Sequence, residues 1–236
     1  MIATIMQPAY LPWLGYFDRI YRSDVFIVLD HVQMDQNSKT KFTNRNKIRT
    51  SNGWAWLTVP LKTKGKHGEA FINQLEIVDD SGWRQKHWGS LANAYARAPY
   101  FKDHKPYFES VYQKPWCLLN DVMSDTFNYF MKSLGLTRTI LYSSQLNVAG
   151  HKDDLILNLC REVKADVYIS GPFGRDYLNA GSFREASIEL QFHDYAHPTY
   201  RQCYQGFEPF MSIVDLLFNH GPESLAVLTG NKKEEA

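Results

Sequence analysis

Four short stretches of the 236-residue chain carry side chains able to do chemistry. The first is QPAYLPWLGY, residues 7 to 16. Here Gln7 can donate and accept hydrogen bonds, Tyr10, Trp13 and Tyr16 supply rings for a base or sugar, and Gly15 lets the backbone approach a ligand. The second starts at Asp30-His31-Val32-Gln33 and runs into a basic segment holding Lys41, Arg45 and Asn46. Asp30 can orient a hydroxyl, an amine or an imidazole, and neutral His31 can move a proton near pH 7. Arg45 can grip a phosphate or carboxylate in a fork, with Lys41 adding a point charge. The third is SGPFGRDYL, where Gly171 and Gly174 can turn backbone donors toward an anion, reinforced by Arg175 beside Tyr177. The fourth joins His197 to Asp215 and Asn219, which lie four apart on one helix face and can receive a polar substrate. Ser212 and Asp215 also read as a helix capping box.

Each stretch has a plainer reading: a rigid turn, a solvated basic loop, an ordinary tight turn, a capped helix. The chain lacks the serine-nucleophile elbow, the zinc-peptidase helix, the Walker ending and the dinucleotide fingerprint. His193, Asp194 and His197 have no recognised metal spacing, so no metal is assigned. Cys203 reads as an inert thiol.

The elements that must position these groups follow from periodicity. Apolar runs at 2–6, 25–29, 139–142, 166–170 and 188–192 fit strands, the first ones covered on both faces. Helices are expected at 14–21, from Trp83 to before Pro99, at about 103–112, 116–134 and 151–164, and at 211–219. Residues 31–53 show little periodicity, 54–61 is strand-like, 62–69 reads as a mobile loop, and 71–78 as an edge strand or hairpin arm. The expected fold is α/β, a Rossmann-like, mostly parallel sheet with flanking helices. It forms a single domain over 1–224, with 81–134 as a helical layer or insertion and 225–236 as a polar tail. Ligand groups should gather where the strands end.

Composition narrows the partners. A formal charge of +1 implies no global attraction to nucleic acid or anionic membrane. The local excess of lysine and arginine over 35–66 suits one phosphorylated ligand but is too short for a nucleic-acid groove. Three scattered cysteines, no transmembrane run and no signal peptide point to a reducing, cytoplasmic setting.

The segments MQPAYLPWLGYFDRI, RSDVFIVLDHVQ, FTNRNKIRT, TVPL, ADVYISGPFGRDYL and PFMSIVDLLFNHG together resemble the WbqC-like protein family over about residues 3 to 222. The resemblance implies a bacterial protein associated with surface polysaccharide biosynthesis, especially of O-antigen. It supplies a pathway rather than a reaction. Pro12-Trp13-Leu14-Gly15-Tyr16 followed by Asp24-Val25-Phe26-Ile27-Val28 is also loosely similar to adenylyl and cytidylyl transferases. Tyr16 and Trp13 stand where those enzymes carry histidines, so nucleotide binding survives the comparison better than nucleotidyl transfer.

The combined expectation is a transferase of surface-glycan biosynthesis acting on a nucleotide-linked sugar or another phosphorylated intermediate, amino-group acylation included. Asp30, His31, His197 and Asp215 are its candidate catalytic groups. Nucleotidyl transfer is the enzymatic alternative, and only there does Mg²⁺ enter, with pyrophosphate released. A noncatalytic protein binding carbohydrate or a partner enzyme of the pathway is the other.

Overall fold

The computed structural model describes residues 1–34, 42–63 and 70–230; Lys41, most of the expected 62–69 loop and residues 231–236 lie outside them. Its strands are β1 (Ile2–Met6), β2 (Val25–Val28), β3 (Arg45–Thr50), β4 (Gly53–Thr58), β5 (Thr139–Tyr142), β6 (Val167–Ser170) and β7 (Glu189–Phe192). Its helices are α1 (Leu14–Tyr21), α2 (Trp83–Tyr95), α3 (Phe101–Gln113), α4 (Leu119–Ser133), α5 (Lys152–Glu162), α6 (Ala180–Glu185), α7 (Ile213–His220) and α8 (Ser224–Thr229). The chain divides into two compact units. Unit 1 comprises Met1–Gln7, Gly15–His31 and Thr137–Ala196, and unit 2 comprises Pro8–Leu14, Val32–Leu136 and His197–Ala236.

Unit 1 is a five-stranded parallel sheet in the order β5-β2-β1-β6-β7, as the apolar runs led us to expect. Parallel neighbours need crossovers: α1 joins β1 to β2 and α6 joins β6 to β7, while α5 lies on the connection from the edge strand β5 to β6 on the other side of β1. Burial explains the order. All of β2 and four of five residues of β1 are buried, because each lies between two other strands, whereas the edge strand β7 alternates exposed and half-buried positions. Ala3 sits in register with both Val25 and Tyr168, and the Thr4 hydroxyl donates to Ile169 C=O at 2.9 Å. Phe17 and Ile20 of α1 are fully buried, each stabilising the fold by about 1.5–3 kcal/mol. Helix α6 is capped by Asn179, whose side chain accepts from Gly181 N–H at 2.9 Å and Ser182 N–H at 3.4 Å. Asn179→Ala should therefore cost about 1 kcal/mol, read as a lower urea midpoint with unchanged slope.

Unit 2 joins the β3–β4 hairpin to α2, α3, α4, α7 and α8. The strand β3 lies inside the stretch expected to be irregular. Its Asn46 and Ile48 are buried while Arg45 and Lys47 are half-buried on the other face, a period of two disguised by polar residue types. Gly53, at φ +107°, closes the two-residue turn. The strand expected over 71–78 is not formed. Ile72, Leu75 and Ile77 are buried without a period of two, and the segment makes a 3-10 turn at Ile72–Gln74 plus isolated bridges such as Leu61 to Ile77. Helices α2, α3 and α4 stand where expected, with Gly135 at φ +65° ending the last. In α7 every residue from Ile213 to Asn219 is buried, and Phe218 meets Tyr95, Phe101 and Phe108 at ring distances of 5.1, 5.4 and 5.3 Å. The stretch expected as a tail opens with α8, whose Leu228 is buried. No helix among the described residues is long and apolar enough to cross a membrane.

Candidate functional site

In unit 1 every strand points the same way, so the carboxyl ends of all five share one edge. The chain order of the strands reverses between β1 and β6, the position where open α/β sheets leave a crevice. Gln7 leaves β1 exposed, and its carbonyl accepts from the Tyr16 hydroxyl at 3.2 Å. Tyr16 itself is buried against Phe17 and Phe26, so it forms a wall rather than an open stacking surface. Gly15 is buried beside it in sequence.

Asp30 and His31 follow β2, and Ser143 and Ser144 follow β5, its neighbour. Asp30 is buried and accepts from Ser143 Oγ at 3.0 Å, Ser144 N–H at 2.9 Å and Ser144 Oγ at 2.6 Å. Ser143 Oγ also accepts from Asp30 N–H at 3.2 Å and lies 2.6 Å from His31 Nδ1. A serine hydroxyl has one proton, and the Asp30 carboxylate receives it. His31 must then donate through Nδ1–H. In neutral His31 this leaves the Nε2 lone pair as proton acceptor.

After β6 the chain turns at Gly171 and Gly174. A Cβ on Gly174 would overlap Ser170 Oγ and lie 2.9 Å from Leu178 Cδ1, so a side chain there would force both to move. The Gly174 N–H is committed to Gly171 C=O at 3.0 Å. Arg175 forms a two-pronged ion pair with exposed Asp194 at 2.9 and 2.7 Å and covers the Phe192 ring. Tyr177 is half exposed. The cation that faces Gly171 is instead Arg19 of α1: a Cβ on Gly171 would lie 2.6 Å from an Arg19 terminal nitrogen. Its neighbour Asp18 is fully buried, paired with Arg22 Nε at 2.6 Å and His193 Nε2 at 2.6 Å. Burial alone would raise the Asp18 carboxyl, but the hydrogen bonds from His193 and Arg22 outweigh it and hold the group below its ordinary range.

The other expected site residues belong to unit 2. Tyr10 is in the core. His87 Nε2–H donates to Thr58 C=O at 3.2 Å, so His87 Nδ1 accepts from Tyr10 at 2.9 Å, and Tyr10 in turn accepts from Tyr112 at 2.6 Å. Buried Asn46 donates to Leu11 C=O at 2.6 Å, where Leu11 adopts φ +47°. Trp13 is half-buried, pairs with Ser212 through a β-bridge and meets Phe210 edge-on at 6.1 Å. Arg45 covers the Trp56 ring at 4.2 Å, and Lys47 covers Trp54 at the same distance. Gln33 is exposed and bridges to Phe71.

His197 donates through Nδ1 to Pro198 C=O at 2.8 Å and accepts at Nε2 from Phe210 N–H at 3.1 Å, and burial lowers its pKa. Asp215 is fully buried and accepts from Tyr200 and Gln202, both at 2.8 Å. Burial holds its carboxyl above the ordinary range despite these donors. Ser212 does cap α7, bonding Val214 N–H at 3.2 Å, but its own N–H goes to Lys47 C=O, so the expected capping box is half formed. The Asn219 amide donates to Asp215 C=O at 2.7 Å. A groove of about 510 Å³ in this unit, lined by Lys62, Asn73, Trp116 and Cys117, includes none of the expected residues.

The model of the WbqC-like protein family matches residues 7–227. The chain belongs to the WbqC-like protein family. It is also similar to a protein of Mycobacterium tuberculosis (strain ATCC 25618 / H37Rv) named as uncharacterized protein Rv1507c, at 35% identity over 223 residues covering 94% of each chain. No solved structure matches it. Within this WbqC-like chain, Arg19, Ser143 and Asp18 stand near the carboxyl edge of the sheet without having featured among the sequence motifs, and His193, weighed there only as a metal ligand, pairs with Asp18. Each had a signal: Arg19 is the only lysine or arginine in α1, while Ser143 and His193 are the first residues after β5 and β7.

Proposed function

We propose that this WbqC-like protein is a transferase acting on a phosphorylated or nucleotide-linked sugar intermediate at the carboxyl edge of the unit 1 sheet, with His31 as its proton acceptor. The observation that carries the reading is the Asp30–Ser143–His31 chain, which in the neutral ring fixes the proton on Nδ1 and leaves Nε2 to take one. The strand order supports a Rossmann-like arrangement, in which such an edge receives ligands. His31 leaves β2 and the Gly171 turn leaves β6, two strand spacings apart, about 10 Å. That span suits a substrate with an anionic group at one end and a reacting hydroxyl or amine at the other. His31 would accept the acceptor's proton as its oxygen or nitrogen bonds to the electrophilic centre, the leaving group departing with the electrons of the broken bond. The surface-glycan assignment rests on the family resemblance alone.

Thermal-shift screening with nucleotides, nucleotide sugars, acyl thioesters and short glycans tests the reading. A nucleotide or nucleotide sugar at about a hundred times its Kd should raise Tm by roughly 5–10 °C. A shift with oligosaccharides alone would replace the transferase with a carbohydrate-binding protein.

A further inference from the structure

We infer that Arg19, set against Gly171 at the carboxyl end of β6, is the binding site for a phosphoryl group. The inference deepens the transferase reading and rests on it for the location of the substrate.

The charges around this point leave one cation over. Asp18 is engaged by Arg22 and His193, and Asp194 by Arg175. Among the described residues Arg19 makes no ion pair and no hydrogen bond, although it is only partly exposed. Its nitrogens keep some contact with solvent, so the fork is both unpaired within the chain and reachable by a ligand. Its electrostatic neighbours are Tyr168, Tyr16 and Tyr177, and burial raises the pKa of all three phenols, so they stay neutral and do not compensate it.

The space is prepared as well. At Gly171 the absent Cβ would lie 2.6, 3.6 and 3.9 Å from Arg19 Nη1, Cζ and Nη2, so any side chain there would displace the guanidinium. Gly171 has ordinary extended dihedrals (φ −71°, ψ 166°), so its backbone does not demand glycine; what its missing side chain provides is the place the Arg19 guanidinium occupies. The planar fork of an arginine matches two oxygens of a phosphoryl group, and the β1–β6 reversal is where such a ligand would enter.

The test measures binding of inorganic pyrophosphate and of malonate, a dicarboxylate control, by calorimetry at low ionic strength. Wild type, Arg19→Met, Arg19→Lys, Gly171→Ala and the surface control Arg161→Met are compared, with far-UV circular dichroism as the folding check. Pyrophosphate affinity should fall at least tenfold in Arg19→Met, less in Arg19→Lys, and stay within twofold in Arg161→Met. Gly171→Ala should weaken binding several-fold without unfolding the protein, which keeps the inference open to test if Arg19→Met does not fold. Affinity unchanged in both Arg19→Met and Gly171→Ala overturns the site, and if nucleotide sugars still bind, the transferase reading stands without it. Malonate bound as tightly as pyrophosphate, with the same dependence on Arg19, overturns the phosphoryl assignment in favour of a carboxylate. Arg19-dependent pyrophosphate binding alongside a thermal response to oligosaccharides alone supports the site and removes the transferase.

Discussion

His31→Gln is expected to lower turnover on the phosphorylated substrate by about 10²–10⁴-fold, the range spanned by loss of a general base. Glutamine keeps polarity and approximate size but cannot take a proton at neutral pH. The ligand-induced rise in Tm should therefore persist while turnover collapses, separating chemistry from binding. Ser143→Ala should cost less, since it removes the hydroxyl that fixes the His31 tautomer but leaves the ring. Asp30→Asn should be worse for the fold: the amide oxygen can keep Ser143 Oγ and Ser144 N–H, but the N–H₂ group then faces Ser144 Oγ, which must turn from donor to acceptor, and the charge-assisted bonds are lost. Turnover within twofold of wild type in folded His31→Gln would remove the imidazole from the mechanism.

Stability is expected to fall by about 3 kcal/mol between pH 7 and pH 4, chiefly through His87. Burial lowers its pKa from 6.5 to about 4, with the Thr58 carbonyl acting weakly in the opposite direction. The unfolded chain then binds a proton below pH 6.5 that the folded chain refuses until about pH 4. The stabilisation is complete above 6.5 and is lost progressively as pH drops across that window. His104 and His197, both lowered by burial, act with the same sign. Asp215 acts oppositely: its raised carboxyl favours the folded state below its unfolded value and loses that contribution as pH rises through the folded one. Urea unfolding at half-unit pH steps should show the slope, and His87→Gln, which keeps an acceptor for Tyr10, should flatten most of it. An equal slope in that variant would assign the acid sensitivity elsewhere.

The sheet of unit 1 was legible because a strand buried on both faces leaves a continuous apolar run; Ile2–Met6 and Val25–Val28 admit little else. The hairpin strand β3 was hidden by its own chemistry. Arg45 and Lys47 spread over tryptophan rings from β4, so cations occupy positions where an apolar pattern would normally announce a strand. Site residues divide the same way. Asp30 and His31 could be placed at a strand end from local pattern, but Ser143, which orients them, arrives 113 residues later. Tyr10 looked like a ligand ring, and only the fold reveals that its hydroxyl is spoken for by His87 and Tyr112. Arg175 adjoins the two glycines in sequence but is held by Asp194, whereas Arg19, distant in sequence, adjoins Gly171 in space.

The weaving of the chain between the two units bears on how the protein is made. Ile2 pairs with Val167, and Lys47 receives its hydrogen bond from Ser212, each contact spanning 165 residues. During synthesis β1 can pair with β2 early, but its other edge waits for β6 to leave the ribosome, and the Lys47 carbonyl of the hairpin waits for the segment that opens α7. Unit 1 gains its last strand only at Glu189–Phe192 and unit 2 its helix α7 only at Ile213–His220, so each is completed late. High-separation contacts of this kind slow folding and lengthen the exposure of apolar strands, which makes β1 and β2 the segments most dependent on protection while translation proceeds.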